Sequence, residues 1–156
     1  MSETSPFRHA KADDSPGFLL WKVTTLWQQR LAEVLDRHRI TQTQYAILAS
    51  LRWFEEQGEP PTQAHLAQHT HIDKMTLSKA LRRLETARLV KRTASRQDSR
   101  AMQVTFTARG RALIPKAVVD IEAADADFFG RLGAEDLAVY QALTLGLITG
   151  NSVTSD

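Results

Sequence analysis

The chain has 156 residues, 42% hydrophobic and 24% charged, no cysteine and a formal net charge of only +2. That length can bury one real core; the missing cysteines exclude disulfides, thiolate metal sites and thiol redox sensing, and no apolar run approaches a membrane span. The modest total hides a segregation: residues 74–111 hold 11 Lys and Arg against 2 acids, Glu85 and Asp98, whereas the rest holds 9 basic residues against 16 acidic ones. A basic segment in an otherwise acidic chain is an electrostatic footprint for a polyanion, of which DNA is the commonest.

Residues 1–17 read as a polar tail with little to bury and no apolar core of a signal peptide, which places the chain in the cytoplasm. From Phe18 a helical period begins: Leu20, Val23, Leu26 or Trp27, Leu31, Val34 and Leu35 recur at spacings of three and four, to an end near His38 or Arg39. Thr41 to Gln44 reads as a capping box opening a second helix through Tyr45, Leu48, Leu51 and Trp53 or Phe54. Residues 55–61, with Gly58 and two prolines, form a loop.

Thr62 can cap a short third helix over 63–69, and Asp73 a fourth over 74–87. The fourth places Leu77, Ala80, Leu81 and Leu84 on one face and Met75, Ser78, Lys79, Arg82 and Arg83 on the other. Two short helices joined tightly, the second with a basic outer face, outline a helix-turn-helix. Residues 89–94 and 101–106 then read as two strands, with Met102, Val104 and Phe106 alternating, around a basic turn. A helix-turn-helix followed by a basic hairpin is a winged helix. Thr107 caps a long fifth helix to about Arg131, which Pro115 should kink or break. A last helix starts near Gly133 and uses Leu137, Tyr140, Leu143 and Leu147; residues 149–156 read as a frayed polar tail. The fold class is therefore mainly α with a small β-hairpin.

Several motifs in order carry a resemblance: residues 40–51 (ITQTQYAILASL), 66–85 (LAQHTHIDKMTLSKALRRLE), 89–92 (LVKR) and 98–110 (DSRAMQVTFTARG). Over residues 18–148 the chain resembles the MarR-type winged-helix transcriptional regulators. The resemblance implies a homodimer bound to a pseudo-palindromic operator, typically a repressor released by a small anionic or phenolic effector. It also implies a single unit in which 40–106 bind DNA and 18–39 and 107–148 form dimerisation helices. Phe18, Leu19, Val23, Val118, Phe128, Phe129, Leu137 and Tyr140 are the interface residues expected. One position departs from the pattern. The family usually has Gly before the Leu-Val of the first wing strand, where Arg88 stands here, and Arg would be strained at positive φ.

The recognition helix should meet DNA near its N-terminal end, through Lys74, Met75, Thr76, Ser78, Lys79 and Arg82. Thr76 is equally readable as the capping partner of Asp73. In the wing, the resemblance carries an arginine into the minor groove, Arg96 or Arg100, with Asp98 holding the hairpin or an arginine in place. A plain surface ion pair is the simpler reading of Asp98. An effector pocket would be lined by Trp27, Leu31, Tyr45, Leu48 and Trp53, residues that more often fill a core. His65 and His69 have a two-ligand spacing, with His71 nearby, but no third ligand accompanies them, so no metal is expected. Asp120, Glu122, Asp125 and Asp127 read as a solvated helix face. No HExxH, phosphate-binding glycine loop or nucleophile elbow occurs, so neither an enzyme nor a cofactor is expected. The competing reading is a winged-helix protein-interaction module without DNA binding, which would have no need of Lys79, Arg82, Arg96 and Arg100 together.

Overall fold

A computed structural model describes residues 5–152 in two compact units, meeting within one helix at 121/122. The outer ends of both expected tails, 1–4 and 153–156, lie outside the described residues. The first unit contains α1 (Pro16–Asp36), α2 (Gln42–Glu56), α3 (Gln63–Thr70), α4 (Lys74–Thr86), β1 (Val90–Ala94), β2 (Met102–Phe106) and the start of α5 (Ala108–Phe129). The second contains the remainder of α5 and α6 (Ala134–Asn151).

The N-terminal tail is shorter than expected. Residues 12–14 form a 3-10 turn, Asp13 pairs with Lys22 at 2.9 Å, and Ser15 caps α1 with Pro16 in the first turn. Proline is at home there because its missing N–H has no helical partner in any case. Along α1 only Val34 and Leu35 are buried; Val23, Trp27 and Leu31 are half-buried, and Phe18, Leu19, Leu20, Trp21 and Leu26 are exposed.

The core of the first unit is aliphatic. Leu35, Ile47, Leu48, Leu51, Leu66, Leu77, Leu81, Leu84, Val104 and Ile114 are almost completely buried. They come from α1 to α5 and β2, so each helix surrenders one stripe to a common interior. The hairpin pairs in register from Val90↔Phe106 to Ala94↔Met102. A further bridge, Thr62↔Gln103, and a bond from the Val104 N–H to the Pro61 carbonyl (2.9 Å) tie β2 to the segment entering α3.

Three helices end on a left-handed residue that is not glycine: Arg39 after α1, His71 after α3 and Arg88 after α4, with φ of 55–57°. After α4, the Arg88 N–H donates to Glu85 and the Leu89 N–H to Leu84, both at 2.9 Å. This is a Schellman closure whose turn residue is normally Gly, so the chain accepts the strain foreseen at Arg88. The same turn demands a real glycine nearby. A Cβ on Gly110 would come within 2.0 Å of the Leu89 carbonyl oxygen. Thr107 locks this corner, donating its hydroxyl to the Arg88 carbonyl at 2.6 Å while accepting the Gly110 N–H at 3.1 Å.

Pro115 neither breaks nor ends α5, which runs continuously past it. The proline is exposed, so water can serve the carbonyl one turn back that loses its N–H partner. Asp120 is not merely solvated, because its carboxylate meets His38 Nε2 at 2.7 Å. In the second unit Phe129 contacts Phe128 and Tyr140, with ring centroids 5.1 and 5.4 Å apart. Partial desolvation, then the charge of Glu122, raises the Asp125 carboxyl above its ordinary range. Helix α6 is apolar on more than one face. It buries no residue and exposes Val139, Tyr140, Leu143, Leu145, Leu147 and Ile148, and it continues past Thr149 to Asn151. Among the described residues no helix is long and apolar enough to cross a membrane.

Candidate nucleic-acid interface

The interface is built on three caps. Thr41 and Gln44 form the expected capping box of α2. Thr62 Oγ1 accepts the His65 N–H at 3.2 Å, and His65 Nδ1 accepts the Thr62 N–H at 3.3 Å, so a histidine completes the box at α3. Asp73 Oδ1 accepts the Thr76 N–H at 2.9 Å and starts α4. The Thr76 side chain, then its N–H, holds the Asp73 carboxyl below its ordinary range. Thr76 is thus the capping partner, while remaining exposed at the helix end.

With α4 started there, its period decides the rest. Leu77, Ala80, Leu81 and Leu84 are buried. Lys74, Met75, Lys79, Arg82 and Arg83 are exposed, Met75 at 72%, and Ser78 is half-buried. None of these cations has an acidic partner among the described residues. A row of unpaired cations with one exposed methionine is suited to phosphates, base edges and thymine methyls.

The wing tip is ordered by its own backbone. The Ser95 N–H donates to the Ala101 carbonyl at 2.8 Å, and the Ala101 N–H to the Asp98 carbonyl at 3.0 Å. Asp98 Oδ1 accepts the Arg100 N–H at 2.9 Å. The Asp98 carboxylate therefore holds the turn, and no ion pair to an arginine accompanies it among the described residues. Arg96 and Arg100 are left exposed. Lys74 and Arg100 face a common open cleft of about 280 Å³, also lined by Gln63, Leu77 and Met102. The fold thus brings the start of α4 and the wing tip to one side of the molecule.

Two arginines of the basic segment are spoken for. Arg111 pairs with Glu55 at 2.6 Å and lies over the Phe106 ring. Arg92 turns inward to Glu85 at 2.7 Å and Gln63 at 3.1 Å. That network was not foreseen, although Glu85, the lone acid on a basic helix, was its available signal.

The five residues expected around an effector differ in burial. Leu48 is fully buried in the core. Trp53 is half-exposed and stacks on His69 with centroids 5.0 Å apart. Trp27, Leu31 and Tyr45 are half-buried. None of the five lines the cleft shared by Lys74 and Arg100 or the one beside Glu55 and Arg111. His69 Nδ1 lies 3.0 Å from Ser50 Oγ, and His71 occupies the left-handed end of α3. No group of three metal-ligating side chains occurs among the described residues.

Residues 36–123 match the family model of an ArnR1-like, winged-helix domain. The HTH-type transcriptional repressor Rv2887 of Mycobacterium tuberculosis is 35% identical over 124 residues, 79% of this chain and 86% of the relative. A crystal structure of Rv2887 in complex with p-aminosalicylic acid aligns with a TM-score of 0.63 over 85% of this chain and 98% of that one. BpsR of Bordetella bronchiseptica shares the fold with a TM-score of 0.81 at 23% identity, covering 96% of this chain and 100% of its own. A mutant MarR from E. coli complexed with operator DNA does so with a TM-score of 0.78 at 22% identity, over 90% and 99% of the two chains.

Proposed function

The chain belongs to the MarR family of winged-helix transcriptional regulators, and from that membership we propose how it grips and releases DNA. It is a DNA-binding transcriptional regulator, with α4 in the major groove and the wing in the adjacent minor groove. The observation that carries this reading is the set of exposed cations on α4 and the wing tip with no acidic partner among the described residues: Lys74, Lys79, Arg82, Arg96 and Arg100. Met75 and Ser78 add contacts that sense base edges, and Asp98 keeps the wing tip in shape for its arginines.

The active species is a homodimer. Exposed apolar residues of α1 and of α6 need cover that one copy does not provide. Residues 18–39 and 107–148 supply the dimerisation helices around the DNA-binding region 40–106. A small anionic or phenolic compound releases the operator, a reading supported by the p-aminosalicylic acid complex of the M. tuberculosis relative. We propose its seat among Trp27, Leu31, Tyr45, Leu48 and Trp53, on helices α1 and α2 that pack together. A regulator that must find an operator works in the cytoplasm, and no catalytic step is assigned to it.

Selection of duplexes from a randomised library with the wild-type protein tests the proposal. The expected product is an inverted repeat with half-site centres roughly one turn, about 34 Å, apart. Failure to enrich any duplex would favour a protein-interaction module instead.

A further inference from the structure

We propose that Arg92 is a positioning residue that latches the wing to the recognition helix, so that the wing-tip arginines reach DNA in register with α4. The inference rests on the DNA-binding reading above and adds to it a residue that touches no DNA.

Arg92 lies on β1, yet its guanidinium belongs to three elements. One Nη donates to Glu85 on α4 at 2.7 Å, and the other to Gln63 at the start of α3 at 3.1 Å. The side chains of Arg92 and Glu85 are only 19% and 33% exposed. Glu85 is the sole acid in α4. On a helix that meets phosphates an acid repels the ligand, unless it faces away and is neutralised. Arg92 does both, and its hydrogen bond, followed by its charge, holds the Glu85 carboxyl below its ordinary range. The Nε of Arg92 is buried without a partner among the described residues, a cost a simple surface pair would not carry. A lysine has no planar fork to join Glu85 and Gln63 in this way.

The position explains the need. The opposite strand is already fixed, since β2 is bonded through Val104 and Gln103 to residues 61 and 62 ahead of α3. The β1 side is fixed by Arg92. Arg96 lies four residues further on, in the bend beyond the end of β1 and at most roughly 13 Å away. A rotation of about 10° at the base would displace the tip by about 2 Å, enough to spoil a groove contact. The latch therefore acts on the wing contribution to binding and spares the contribution of α4.

A set of variants titrated against a duplex enriched with the wild-type protein tests this. In the wild-type background Arg100→Ala should weaken binding roughly tenfold. In an Arg92→Gln background the same change should cost under about twofold, while Lys79→Ala keeps its full effect. Arg92→Lys should behave like Arg92→Gln despite its charge. Glu85→Arg combined with Arg92→Glu should restore the sensitivity to Arg100→Ala. Thermal melts confirm that each protein is folded, and Glu85→Gln replaces Arg92→Gln if the latter is not. An Arg100→Ala penalty equal in both backgrounds would overturn the latch while leaving DNA binding intact. A wild-type protein that enriches no duplex would instead overturn the DNA-binding reading, and the latch with it.

Discussion

Helices α4 and α6 solve the same problem in opposite ways. Helix α4 is divided lengthwise: four residues, Leu77, Ala80, Leu81 and Leu84, enter the core, and its cations are exposed. Both of its faces are accounted for within one chain and one ligand. Helix α6 is apolar on more than one face and buries nothing. An isolated apolar helix in water is unstable unless something covers it. On the proposed function, α4 needs nothing more from its own chain to read DNA, whereas α6 needs a second surface to cover it.

The largest effect should come from spoiling the incomplete helix. Leu143→Glu together with Leu147→Glu should convert the dimer to monomer in sedimentation. Affinity for a two-fold duplex should fall by about a hundredfold or more, because the two half-sites are no longer linked. A monomeric double variant that binds as tightly as wild type would erase the contrast. Next is the buried face of α4. Leu81→Ala should cost about 3 kcal/mol in denaturant unfolding, since the side chain is fully buried and its neighbours come from several helices. A cost below about 1 kcal/mol would mean that α4 is not anchored as described.

Two smaller effects concern the ends of α4. Arg88→Gly should stabilise by roughly 0.5 kcal/mol, because glycine relieves the left-handed turn at φ 57° but loses entropy on folding. Unfolding curves of the two proteins decide it, and destabilisation would show that Arg88 is held by more than the turn. The pH dependence of the Glu85 contribution is the subtlest. Its folded pKa is lowered from an ordinary value of 4.5, so the contribution is fully present above that value. It is lost as the pH falls further, through the lowered folded pKa. The stability difference between wild type and Glu85→Gln should be constant from neutral pH to about 4.5 and shrink below it. A difference that disappears already near pH 6 would contradict the Arg92 pairing.

What the sequence made legible was local. Thr41, Thr62 and Asp73 cap where expected, because a cap is chemistry within three or four residues. The strain at Arg88 followed from one missing glycine. Long-range pairing was not legible. Arg92 and Arg111 counted as DNA-facing charge until the fold brought Glu85 and Glu55 against them. Asp120 looked solvated until the turn after α1 delivered His38. Leu48 suited a pocket as well as a core on periodicity alone, and the fold buries it completely. Likewise the last helix was read through Leu137, Tyr140, Leu143 and Leu147, although Val139, Leu145 and Ile148 make other faces apolar too.

Direct contact with duplex DNA is proposed for the cations of α4 and the wing tip, which have no acidic partner among the described residues. Its most direct test is the salt dependence of binding to an enriched duplex, compared between wild type and the Lys79→Ala, Arg100→Ala double variant. The slope of log affinity against log salt should be steep for the wild type and shallower by about two units per protomer for the double variant. An unchanged slope would contradict the claim.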